Sequence, residues 1–178
     1  MKKSVVVLLA LALSVSMFGC AKEEKQVYAV NENLADVQAE QEQADAAEEV
    51  VINAKDIADA LAGLSYDDNI AEVDLDTAKM FLNLDGVDIV ESYVYESSGA
   101  TAEEIVVLKC ADAANASKAK DVFSQRIEEQ TENFTDYVPE ELPKLKDAVV
   151  VVNGEYAVLS VSKDASKAKE IVEGFIGK

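Results

Sequence analysis

Histidine and tryptophan are absent from the 178 residues, and the chain holds only two cysteines, two prolines and a single arginine. Without histidine, every Ser/His/Asp and Cys/His catalytic arrangement, every histidine-bearing zinc site and any imidazole general base are excluded. Positive charge is scarce as well, with 16 Lys plus Arg against 35 Asp plus Glu and a formal net charge of −19. Nucleic-acid binding sets clustered Lys and Arg against phosphate, so that class of partner is excluded too. Neither composition nor motif implies a cofactor. The length allows one domain with appendages.

A long apolar run is also missing. Residues 1–4 form a cationic start, and residues 5–18 follow as fourteen uncharged positions. A helix crossing a bilayer needs roughly 20 apolar residues, so this run reads as the hydrophobic region of a secretory signal peptide. Met17, Phe18, Gly19 and Cys20 resemble the lipobox of bacterial lipoproteins, a pattern that prefers Leu where Met17 stands and a small residue where Phe18 stands. The resemblance implies a signal peptide over residues 1–19, cleavage between Gly19 and Cys20, and a mature chain that begins at Cys20 with two acyl chains, palmitate among them. Two chains give stable anchoring where one is marginal, at about 0.8 kcal/mol per buried methylene. The expected location is the extracytoplasmic side of the cell membrane, with the lipid bilayer as a partner through acylated Cys20. The alternative is an ordinary cleaved signal with Cys20 free. If Cys20 carries lipid, Cys110 has no intramolecular partner, and stability comes from the core without a disulfide.

Residues 20–50 read as the lipidated cysteine and an acidic flexible spacer. Positions 21–50 hold nine acidic residues and two lysines, with many Ala and Gln and no sustained apolar period. As coil, thirty residues reach roughly 30 Å root-mean-square. An acidic spacer is repelled by an anionic lipid surface, which holds the domain away from the headgroups.

Residues 51–178 are expected to form a single globular domain, long enough to bury roughly two-thirds of its unfolded surface. Asn53 is placed to cap a helix whose Ile57, Ala60, Leu61 and Leu64 share a face, and a short helix is expected over 75–82. Residues 87–96 and 104–110 read as two strands around a Ser-Ser-Gly loop. A helix follows over 116–134, with another short one after Pro139. Strands at 148–152 and 155–162 flank Asn153 and Gly154, the pair favoured by a two-residue type I′ hairpin. Asp164 then caps a last helix with an apolar stripe at Ala165, Ala168, Ile171, Val172 and Phe175.

Laid over each other, residues 116–122 (ASKAKDV) and 165–171 (ASKAKEI) match, and the strands before them match at Glu104, Val107 and Leu108 against Glu155, Val158 and Leu159. The pattern is a ββα internal repeat, although common helix-start chemistry in a short alphabet produces the same likeness by chance. Under either origin the fold class is α+β, with an antiparallel sheet of about four strands in two β-hairpins and helices packed on one face. In this frame Cys110 lies on a strand and reads as a buried structural thiol.

Residues 85–176 resemble the domain of unknown function 4358 family, small domains of exported bacterial lipoproteins. The features that carry the resemblance are the helix with Arg126 and Gln130, then Phe134, Tyr137 and Pro139, then residues 147–151, Gly154, Tyr156, Val161 and Ser162. The resemblance implies class and location and brings no activity with it.

Three S-x-x-K spacings occur, at Ser117/Lys120, Ser160/Lys163 and Ser166/Lys169, but the SDN and KTG elements of penicillin-recognising enzymes are missing. Asn83, Asp85, Gly86 and Asp88 imitate a calcium loop, yet with Gly86 at the sixth place the first and twelfth places fall on Phe81 and Ser92, so the residues read as a turn and no metal site is assigned. Residues 67–104 carry eleven acidic side chains and only Lys79 as a base. That concentration is either a face for cations or a basic partner, or a solvated surface. Arg126 and Tyr137 are the candidate binding residues, a pair that could grip a carboxylate or a peptide backbone. The plainer alternative has Arg126 pairing with Glu128 or Glu129 on the surface and Tyr137 packing its ring into the core edge.

Two functions are therefore expected. The first is a non-enzymatic, membrane-anchored binding module of the cell envelope, whose partner is an envelope protein or a small ligand. The second is a carboxylate-based extracytoplasmic hydrolase, with or without a divalent cation, because Asp and Glu are the abundant titratable groups. A concave pocket holding at least two carboxylates with perturbed ionisation is the feature that would favour the second.

Overall fold

The computed structural model describes residues 52–177. The signal peptide expected at residues 1–19, the lipidated Cys20 and the spacer through residue 50 lie outside the described residues.

Short polar side chains set where the helices begin. Asn53 accepts a hydrogen bond from Lys55 N at the start of α1 (Ala54–Ala62), and Asp74 does the same for Thr77 N at α2 (Leu75–Ala78). Asp112 caps α3 (Ala113–Thr135) through Asn115 N, and Asp164 caps α5 (Ala165–Ile176) through Lys167 N. Each satisfies a backbone donor that has no partner within its helix. Between them α4 (Leu142–Lys146) continues a 3-10 turn at Pro139–Glu141, where proline stands at a position that needs no N–H.

Five strands form one antiparallel sheet: β1 (Ala71–Val73), β2 (Ile89–Glu96), β3 (Glu104–Cys110), β4 (Val149–Asn153) and β5 (Tyr156–Val161), in the order β1-β2-β3-β5-β4. The turn between β4 and β5 falls on Asn153 and Gly154, and Gly154 adopts the positive φ of +56° that a type I′ turn requires. The fifth strand beyond the four expected, β1, is only three residues long, Ala-Glu-Val with its first two residues exposed, too short to carry a strand signal of its own.

The α+β class and the antiparallel sheet are as read from the sequence, but helices cover both faces of the sheet, where one was expected. On one side Val106, Leu108, Cys110, Leu159 and Val161 pack with Ala119, Phe123 and Phe134 of α3 and Leu145 of α4. On the other, Ile105, Val107 and Val158 pack with Ile57 and Leu61 of α1 and Ala168 and Val172 of α5. The reason is in the central strands. Apart from Lys109, β3 is buried along its whole length and β5 throughout, so both of their faces need cover. The strand-strand-helix order does occur twice, yet α3 and α5 sit on opposite faces while matched strand residues (Val107 with Val158, Leu108 with Leu159) share a face. A two-fold axis exchanging antiparallel neighbours keeps each face on its own side, so the two halves are not related by symmetry.

Phe123 is fully buried at the centre of the α3 side. Phe123→Ala should lower unfolding free energy by about 3–5 kcal/mol, measured by urea denaturation, whereas Met80→Ala at an exposed position should stay within about 0.5 kcal/mol of the parent.

Candidate functional site

The long helix α3 carries Arg126, Gln130 and Asn133 at spacings of four and three, which stack them in one stripe along its surface. Tyr137 continues that stripe just past the helix, where Val138 N donates to Phe134 O at 3.0 Å and closes the last turn. Facing them are Glu96 at the end of β2 and the loop into β3, with Ser97, Gly99 and Thr101. Together these residues line a pocket of about 310 Å³. The loop holds its shape through Ser97 Oγ donating to Thr101 O at 2.7 Å and through the φ of +89° at Gly99, a conformation that favours glycine.

The side chain at the base of the pocket is Arg126. Its Nε donates to Glu104 Oε2 at 3.0 Å and its Nη2 to Glu96 Oε1 at 2.8 Å, and the guanidinium lies 4.8 Å from the centroid of the Phe81 ring. Glu96 and Glu104 are direct cross-strand partners in the β2–β3 register. Like charges so placed repel, and one arginine bridging them offsets the repulsion. The expected surface pairing with Glu128 or Glu129 does not occur, because the partners come from strands that only the fold brings under α3. Tyr137 likewise does not pack into the core edge. It is 74% exposed, on the rim of the same pocket that Arg126 lines.

The two carboxyls differ in what they face. Glu96 lines the pocket, while the Glu104 side chain is 1% exposed and lies beneath Arg126. Burial, reinforced by the neighbouring Glu104 charge and only partly opposed by Arg126, pushes the Glu96 carboxyl up to about 8. Burial also raises Glu104, against the pull of Arg126. Among the described residues Glu104 Oε1 has no hydrogen-bond partner.

A second charged network closes the neighbouring loops. Lys144 lies within 2.8 Å of Asp67, 3.0 Å of Glu141 and 3.2 Å of Glu103. Glu103, fully buried, accepts from the backbone N–H groups of Asp67 and Asp68, and Glu141 accepts from Ala102 N at 2.9 Å. Burial opposes the Lys144 charge, and its carboxylate partners outweigh that and hold its pKa up. Hydrogen bonds from Lys144 and Lys163 pull Asp67 down to about 2. Several acids of residues 67–104 thus hold the fold: half-buried Asp68 and Glu96, buried Glu103 and Glu104 and the exposed Asp67 tie loops and strands together, and Asp74 caps a helix.

The remaining sequence candidates resolve locally. Asp85 to Asp88 form a turn into β2, with Gly86 at φ +81° and its carbonyl accepting from Lys118 Nζ. No group of three or more His, Cys, Asp or Glu is arranged to hold a metal among the described residues. Cys110 is buried, and its thiol is pushed up to about 11 by that burial and by Asp112 and Glu155, which leaves it unreactive. A wider groove of about 810 Å³ runs beside β4, but among its lysines Lys144 and Lys163 are engaged by Asp67, and Lys169 lies 3.9 Å from Glu173.

Sequence reasoning reached Arg126 and Tyr137 and missed Glu96 and Glu104. One signal for Glu104 was present: an acidic residue opening a strand that is otherwise almost entirely apolar needs a buried partner, and the chain offers one arginine.

The fold and pocket define an α+β domain with its sheet sandwiched between helices and a polar recess at one end of the longest helix. The chain belongs to the DUF4358 family, described as a domain of unknown function, whose model matches residues 64–162. That span begins and ends earlier than the resemblance over residues 85–176. It includes every residue lining the pocket and leaves out α1 and α5. No curated protein and no solved structure matches the chain.

Since Glu96 is raised in the folded state, the folded protein binds more protons than the unfolded chain between the ordinary carboxylate value of 4.5 and about 8. Stability should fall as pH rises through that window, by at most about 1.4 kcal/mol per pH unit. Urea denaturation at pH 5.5 and 8.5 checks the sign, and Glu96→Gln should flatten the slope. Arg126→Gln should cost about 3–5 kcal/mol by leaving Glu104 uncompensated, and adding Glu104→Gln should restore part of it.

Proposed function

We propose that this protein is a lipid-anchored, extracytoplasmic binding module of the cell envelope. Supporting the anchor are the cationic start, the fourteen-residue apolar run and the Gly19-Cys20 pair. Supporting the binding role is one observation above the others: a fixed, solvent-reaching recess built on Arg126, whose orientation is set by two strand carboxyls. Such preorganisation is what a recognition site needs, because little side-chain freedom is lost when a ligand arrives. Gln130, Asn133 and Tyr137 on the same stripe supply side-chain donors and acceptors that have no hydrogen-bond partner among the described residues.

A hydrolase reading draws on a single feature, the proton held by Glu96 at neutral pH in a pocket, which suits a general acid. The second carboxyl such a reaction needs is missing from the recess, since Glu104 lies beneath Arg126. The binding reading is therefore preferred.

Two measurements test the proposal. Cys20→Ala should abolish palmitate labelling in cells and release the protein from membranes; retention with lipid and unchanged labelling would remove the anchor. A photo-crosslinking residue replacing Tyr137 in the lipidated protein should capture a ligand or partner in intact cells, while the same residue at Met80 should not. Turnover of an ester or glycoside panel that vanishes in Glu96→Gln and survives in Tyr137→Ala would favour the hydrolase instead.

A further inference from the structure

The chemistry of the pocket narrows what it can hold. No lysine lines it, and its one arginine already serves two carboxyls. Both carboxyls already engage the guanidinium, so it is not an open cation. An anionic ligand would give up hydration without gaining an uncompensated cation. A cationic ligand would meet the Arg126 guanidinium beside Glu96, whose Oε1 that guanidinium already engages.

What remains on offer is neutral and directional. Arg126 bonds through Nε and Nη2, leaving Nη1 as a planar pair of donors among the described residues. Gln130 and Asn133 each present an amide with both donor and acceptor sides one and two turns further along. Adjacent hydroxyls, which donate and accept at once, suit such a row. Above it stands Tyr137, a ring 74% exposed where most large apolar groups of the domain are buried. A ring kept in water beside polar side chains offers a flat apolar platform together with a polar tip. The volume of about 310 Å³ lies at the lower end of the range for small-molecule sites.

We infer that the pocket binds a neutral, hydroxyl-rich ligand, a saccharide, laid on the Tyr137 ring and hydrogen-bonded by the Arg126, Gln130 and Asn133 stripe of α3. The inference rests on the binding-module reading and adds to it the class of ligand. The recess takes a sugar ring by one apolar face and by its edge hydroxyls, and it discriminates against acidic sugars and carboxylates through the two glutamates beneath it.

The full chain in detergent, tested on an array of neutral oligosaccharides (cellobiose, maltose and chitobiose among them) and of uronate-containing ones, with succinate as a carboxylate probe in calorimetry, decides the matter. Neutral saccharides should bind, with at least tenfold weaker affinity in Tyr137→Ala and Gln130→Ala and no change in Phe175→Ala, an exposed apolar position outside the pocket. Circular-dichroism melting of the two pocket variants should match the parent, since neither side chain belongs to the core. Preference for uronates or succinate, lost in Tyr137→Ala, would overturn the saccharide and leave the binding module standing. Neutral binding indifferent to Tyr137→Ala and Gln130→Ala would overturn the assignment to this pocket. No binding by any probe would overturn the saccharide as well, and crosslinking at Tyr137 then judges the binding module separately.

Discussion

A single arginine bridging two glutamates that face each other across neighbouring strands is the constraint around which this end of the domain is organised. Glu96 and Glu104 are brought opposite one another by the β2–β3 register, an arrangement that would repel without a counter-charge. Arg126 supplies it from the helix above, and its ring contact with Phe81 links the same side chain to the segment between α2 and β2. Helix, hairpin and connecting segment are thus fixed at one point, and the pocket exists because they are.

Part of the charge in this protein works inside the fold. A net charge of −19 suggests an acidic surface, yet Glu103, Glu104 and Glu141 are buried. Each has a donor supplied by a backbone N–H, Lys144 or Arg126, in keeping with the cost of leaving a carboxylate unpartnered. The two networks lie side by side along the sequence, Glu103 engaged by Lys144 and Glu104 by Arg126.

The pairing of Arg126 with Glu96 and Glu104 has consequences for recognition as well as stability, because the guanidinium at the base of the recess is already engaged by two carboxyls. That separates this site from the usual arginine pocket, in which an open guanidinium receives an anion. The polar stripe beside it and the exposed Tyr137 give the recess directionality and one apolar surface.

Local chemistry was legible in the residues themselves. Asn53 and Asp164 announced helix starts, Asn153 and Gly154 announced a hairpin, and the run from Glu104 to Cys110 announced a strand, because caps, turns and β-rich runs are decided by neighbours along the chain. The same holds for the stripe Arg126, Gln130, Asn133, readable from helical spacing alone. Left to the tertiary structure were the second helical layer, which follows from burying both faces of β3 and β5; the three-residue strand β1, which pairs only because β2 is there to receive it; and the partners of Arg126. Those partners lie 30 and 22 residues away along the chain, and no local rule distinguishes them from Glu128 and Glu129 beside it. Register between strands made that choice, since it alone sets two carboxyls opposite each other and leaves one cation to hold them.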